Sequence, residues 1–202
     1  MAYDVLEESV ALIDSREVEP VRRLTRRRRF APLGVDVSGD LAVTLFARRG
    51  VGSVWQETHV LARRAGAWTW LGGGGGTSDE RVFADRPGEL PDRQTLTNGV
   101  ATASDPRVMF SNGAGGVLDD QGRADGLMDG ARWVSYAIIE VSALVGSVEV
   151  FGRPLTVPWH GHVPLVWCDN PQPHAIARDR SGDTVGELRL HDTHGCPSTA
   201  PD

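Results

Sequence analysis

Between residues 131 and 190, short β-prone runs (133–141, 145–151, 155–159, 163–167, 174–178 and 184–190) are broken by Gly, Pro, Asn and Asp. Runs of this length, rich in Val, Ile, Leu and Trp, are too short for helices and specify strands joined by tight turns. The spacing predicts a mainly β protein, an antiparallel β-sandwich or barrel. Within it, a three-residue loop of His160, Gly161 and His162 would pair Trp159 with Val163. Leu155, Val157, Trp159, Val163, Leu165 and Trp167 would then share one face, because a one-residue slip splits that set between core and solvent. On this reading His160 and His162 sit exposed on a hairpin tip, and Trp159 and Trp167 lie in the core. A second hairpin is expected at 180–183. In strand spacing alone this half resembles generic immunoglobulin-like or transthyretin-like sandwich modules, and no motif accompanies the resemblance to carry a function with it.

Upstream, residues 32–76 predict a β-meander. A turn at 36–40 leads into strands at 41–47, 54–62 and 67–71, with Ala65 and Gly66 forming the second connection. Two-residue periodicity puts Trp68 and Trp70 on one face. Five consecutive glycines, Gly72 to Gly76, close the meander and read as a flexible loop. Residues 77–130 read as an irregular segment rich in Gly, Asp and Pro, where two β units would join. Its best candidate for a short helix or strand is 107–110. Residues 191–202 form a polar tail.

Residues 1–31 are of another kind, a helical and charge-segregated extension. Asp4 is placed to cap a helix with Glu7 and Glu8 in its first turns and an apolar side of Val5, Leu6, Val10, Leu12 and Ile13. Beyond Pro20 the charge reverses in a block of six arginines: Arg22, Arg23, Arg26, Arg27, Arg28 and Arg29. This block is expected to be a solvated helix end, balanced by Glu17, Glu19 and the acids before them.

Composition narrows the function classes. A net charge of −6 gives no general attraction to nucleic acid. All 21 basic residues are arginine, which reads as base composition and not as arginine chemistry. Two cysteines are too few for a disulfide-framed domain, and acids stand where a signal peptide carries positive charge. No 18-residue apolar run occurs, so no membrane span is expected. The expected location is the cytoplasm. The glycine run lacks the lysine of a phosphate-binding loop, and neither G-x-S-x-G, H-E-x-x-H nor C-x-x-C occurs.

The expectation is therefore a non-catalytic, intracellular binding or protein-interaction β-domain with no cofactor. The six arginines together with Trp68 and Trp70 are the candidate contacts. A protein partner, or a second copy of the chain, would dock on the N-terminal segment. One alternative is an enzyme or metal-binding protein built from scattered residues: His59, His160, His162, His174 and the acids Asp105, Asp119, Asp120, Asp125 and Asp129. Within that alternative, His160 and His162 with His191 and His194 are the metal-ligand set. The other alternative is a sugar- or peptide-binding sandwich that uses exposed tryptophans as a stacking platform.

Overall fold

The structure, a computed structural model, describes residues 3–78, 80–91, 101–119, 132–168 and 172–191. It is mainly β, with one short α-helix and antiparallel sheets stacked as sandwiches; the sheets do not close into a barrel. The first sheet is the meander β1 (Phe30–Ser38), β2 (Leu41–Arg49), β3 (Val54–Arg64) and β4 (Ala67–Ser78), in that order. The remaining strands are β5 (Ala101–Ala103), β6 (Met109–Asp119), β7 (Arg132–Val141), β8 (Ser147–Val150), β9 (Arg153–Leu155), β10 (His162–Cys168), β11 (His174–Arg178) and β12 (Thr184–Leu190). They form a three-stranded sheet, β10-β7-β6, and a five-stranded sheet, β5-β12-β11-β8-β9.

Alternation along β7 shows how the sheets stack. Ala137, Ile139 and Val141 pack with Val163 and Leu165 of β10 against Val148, Val150, Ala175, Ala177, Leu188 and Leu190 of the five-stranded sheet. Val134 and Ile138 point the other way, Val134 into a core with Leu41, Val43, Val60 and Ala62, and Ile138 into one with Leu45 and Ala47. The three-stranded sheet is thus the middle layer, with most of β7 and β10 buried on both faces. That explains why β7 and β10 read as near-continuous apolar runs.

Helix α1 (Val5–Ser15) covers the outer face of the first sheet. The Asp4 carboxylate accepts the Leu6 and Glu7 N–H groups at 2.9 and 3.0 Å, as the sequence predicts. Ile13 packs on Ala42 and Leu61, and Ser9 Oγ lies 2.9 Å from Thr44 Oγ1 and 3.4 Å from His59 Nδ1. The helix thus buries Leu12 and Ile13 against the protein, while Leu6 stays 40% exposed.

Several sequence expectations need correction. The turn expected at 36–40 is shorter, because β1 runs through Asp36 to Ser38 and only Gly39 and Asp40 turn. The 155–159/163–167 hairpin does not form. Its residues are shared between two sheets, with β9 pairing β8 through a Phe151-Gly152 turn at φ 53° and 72°, and β10 pairing β7. The shared face survives in part, since Leu155, Val157, Val163, Leu165 and Trp167 all contribute to one core. The hairpin at 180–183 is present, its turn held by the Asp179 carboxylate, which accepts the Ser181 and Asp183 N–H groups at 2.8 and 3.0 Å.

The glycine-rich stretches are the larger correction. Gly72 to Gly76 are strand, not loop, paired along β3 from Val60 to Gln56. The glycines at 113, 115 and 116 lie in β6, so the supposedly irregular segment contains β5, β6 and a 3-10 turn, Glu80–Phe83. Glycine weakens strands by propensity, so only contacts made by the fold account for these. A Cβ on Gly73 would fall on the Thr58 carbonyl oxygen, and one on Gly75 would come within 2.7 Å of the Gln56 carbonyl oxygen. A backbone carbonyl in a paired strand cannot step aside. Gly73→Ala is accordingly expected to destabilise the protein by about 3 kcal/mol, the upper range for overpacking. Urea unfolding would measure it, and an unchanged midpoint would show that β3 and β4 sit farther apart than the structure has them.

Candidate functional site

Between the first sheet and the middle sheet, the apolar filling stops short at one end. Here Gln56 and Thr58 of β3, Gly74 and Gly76 of β4, Gly113 of β6, and Tyr136 and Glu140 of β7 turn their inner faces to a cleft. His162 of β10 and Arg81 of the 3-10 turn complete the wall. The cleft encloses about 500 Å³, within the range of small-molecule sites.

Strand parity decides which side chains reach it. In β3, Glu57 and His59 point outward beneath α1, so Gln56 and Thr58 point inward. In β7, Tyr136 and Glu140 stand on the same face as Val134 and Ile138. His162 is Glu140's cross-strand partner and is 6% exposed. Opposite these side chains the wall is bare backbone. The Tyr136 hydroxyl lies between the sheets in room that Gly74 and Gly115 leave open: a Cβ on Gly115 would meet it at 2.7 Å, and one on Gly74 would meet it closer still. Burial raises the Tyr136 phenol pKa, so at neutral pH the hydroxyl keeps its proton and can donate. The Gln56 amide nitrogen is buried without a hydrogen-bond partner. A buried amide donor left unmatched costs free energy that a ligand acceptor would recover. The cleft therefore holds one acid, one guanidinium, one imidazole, one phenol and several neutral donors and acceptors.

The residues singled out from the sequence do not converge on this cleft, except His162. Arg23, Arg26, Arg27, Arg28 and Arg29 are exposed in an irregular segment, not at a helix end, and Arg22 pairs with Asp85 at 2.9 Å in full solvent. Among the described residues no ion pair joins the block to Glu17 or Glu19. Trp68 is partly buried beside Ile13, Val35, Val37 and Leu61, whereas Trp70 is 53% exposed on the edge strand. The two do not form a stacking platform. Trp159 and Trp167 are half-buried and not fully in the core.

The histidine pair is corrected as well. His160 is 4% exposed, not on a tip. Its Nε2 lies 2.9 Å from the Leu33 carbonyl and donates to it, while its Nδ1 accepts the His162 N–H at 3.0 Å. Both ring nitrogens are engaged, leaving no lone pair for a metal. His191 Nε2 lies 2.9 Å from Thr102 Oγ1 at the five-stranded sheet, and His194 lies outside the described residues. His59 is under α1, and His174 pairs with Glu187 at 3.0 Å. Asp119 is buried and bridged by Arg64 and Arg132; Asp105 is bound by Arg107; Asp120, Asp125 and Asp129 lie outside the described residues. Among the described residues, no three His, Cys, Asp or Glu side chains gather as a metal site.

Gln56, Arg81, Tyr136 and Glu140 went unnoticed in the sequence. A signal was present for two of them. Tyr136 and Glu140, four apart in an otherwise apolar strand, share a face, and a polar stripe on a buried face implies a polar space opposite. No protein-family model matches the chain, and neither the curated proteins nor the solved structures contain a match.

Proposed function

We infer that the protein is a non-catalytic binding β-sandwich whose cleft takes a small polar molecule of about sugar size. The observation that carries this is a cleft of about 500 Å³ walled by Gln56, Tyr136, Glu140, His162 and Arg81 on one side and bare glycine backbone on the other. Ordinary drug-like pockets are chiefly apolar; this wall instead rewards a ligand that offers a hydrogen bond at nearly every atom. Bare backbone lets such a ligand approach closely. Two cysteines fit the reducing interior of a cell, and Cys168 Sγ accepts a weak contact from Arg132 Nη1 at 3.9 Å. Among the described residues no helix is long and apolar enough to cross a membrane. A partner contact through the N-terminal segment, if made, would use its exposed arginines more than α1, whose Leu12 and Ile13 are already buried.

Gly76 and Gly113 make the test direct. Both line the cleft, and a Cβ on either meets nothing within 4 Å, so a leucine at either position starts into open space and would occupy the cleft. Thermal unfolding would be followed with a panel of monosaccharides and free amino acids. A probe at about 100 times its Kd stabilises the native state by about 2.7 kcal/mol. That gain is expected in the wild type and is expected to vanish in Gly113→Leu and Gly76→Leu. Equal responses of wild type and filled variants to every probe would remove the cleft from consideration. The pairing of Glu140 with His162 supports a second reading, an acid–base catalyst in the same cleft. Turnover of a bound probe, lost in Glu140→Gln, would decide for it.

A further inference from the structure

Outside the cleft, one concentration of charge has no internal explanation. Arg26 and Arg29, from the segment before β1, and Arg48 and Arg49, from the end of β2, surround a pit of about 470 Å³ closed by Gly50 and Val51. No carboxylate lines it. Of the four arginines Glu57 engages Arg48, at 2.6 Å from both Nε and Nη2, which fixes that guanidinium and still leaves it three N–H donors. The backbone is held too. The Arg49 N–H donates to the Arg29 carbonyl at 2.7 Å, the Thr25 N–H to the Arg28 carbonyl at 2.8 Å, and the Gly50 N–H to the Ser53 carbonyl at 2.9 Å. Backbone hydrogen bonds therefore hold together the two chain segments whose four arginines line the pit, in a chain whose net charge is −6. Mutual repulsion makes that arrangement costly unless an anion relieves it.

The geometry points to a binding site for a phosphate group, held by forked guanidinium hydrogen bonds from Arg26, Arg29 and Arg49 with Arg48 as the fixed base. Guanidinium planes match tetrahedral oxyanions in a bidentate manner, and several converging forks select a dianion over chloride. The site is separate from the cleft, and its occupancy does not depend on what the cleft binds. Two sources present this chemistry, a free phosphate compound and a phospholipid headgroup.

The probe is inorganic pyrophosphate, titrated at constant ionic strength and followed by amide and arginine side-chain NMR shifts. Saturable shifts are expected at Gly50, Val51 and the Arg26, Arg29 and Arg49 side chains. The double variant Arg26→Ala/Arg49→Ala is expected to weaken binding about tenfold or more, since charge-assisted bonds are lost. Arg23→Ala/Arg27→Ala removes the same charge from residues that do not line the pit, and is expected to leave binding within about twofold, because exposed charges that make no direct contact contribute little. Equal weakening by the two double variants, or shifts that rise without saturating, would overturn the site in favour of diffuse charge attraction. Co-sedimentation with phosphatidylcholine vesicles containing phosphatidic acid separates the sources. Retention abolished by Arg26→Ala/Arg49→Ala assigns the site to a headgroup, and pyrophosphate binding without retention assigns it to a soluble phosphate.

Discussion

Acidification from pH 7 to pH 5 is expected to cost this protein about 2 kcal/mol of stability through His160 alone. Burial is the main reason the His160 pKa is pushed down to about 3, with the neighbouring His162 and Arg86 adding to it and the Leu33 hydrogen bond opposing it. The hydrogen bonds say the same thing independently. Nδ1 is occupied by the His162 N–H, so a second ring proton would be placed against another donor. In the unfolded chain the imidazole takes a proton near pH 6.5; in the folded chain it takes one only near pH 3. Stability is therefore full above pH 6.5 and falls by about 1.4 kcal/mol per pH unit between those values. His59, whose pKa is lowered by burial beneath α1, acts with the same sign. Urea midpoints at pH 7 and pH 5 measure the loss. His160→Gln should be less stable at pH 7 and show a distinctly shallower decline, and a decline as steep as in the wild type would place the responsible proton elsewhere.

Asp36→Ala is expected to be the most damaging single substitution, at about 3–5 kcal/mol. Its carboxylate is buried and accepts Arg153 Nη1 at 2.5 Å, Arg153 Nη2 at 2.8 Å and the Val166 N–H at 2.9 Å. Those partners come from β9 and β10, while Asp36 is on β1, so one side chain ties the edges of all three sheets. Removing it strands a largely buried guanidinium and a buried amide together. A guanidinium keeps its proton at any accessible pH, so the arginine cannot escape the cost by losing it. Denaturant unfolding would check the size. Arg153→Met placed on Asp36→Ala should recover part of the loss, because it removes the stranded charge. A cost below about 1 kcal/mol would mean that water reaches Arg153 freely.

The strands whose neighbours lie close in sequence were legible, and those built by distant contacts were not. β2, β3 and the first part of β4, the α1 cap at Asp4 and the 180–183 turn all follow from local pattern. The glycine strands had no local pattern to show. Gly73 and Gly74 are glycine because of Thr58 and Tyr136, residues that approach them only once the sheets have formed. The histidines failed for a related reason. A Trp-His-Gly-His string resembles a polar turn until Leu33, more than a hundred positions earlier, supplies the carbonyl that buries His160. The cleft shares this origin, since its walls come from six separate elements and only the Tyr136–Glu140 stripe is visible within one of them. The arginine block was visible as charge, but its completion by Arg48 and Arg49 was not.

The middle sheet has one more consequence. Lying between the other two sheets, β10-β7-β6 contributes to the cores on both sides, through Ile139 and Leu165 in one direction and Val134 and Val166 in the other. Neither outer sheet can peel away without exposing apolar surface that the other still needs covered. A chain of three sheets that could have melted in steps is thereby bound into a single cooperative unit, and its outer β-layers share one fate on heating.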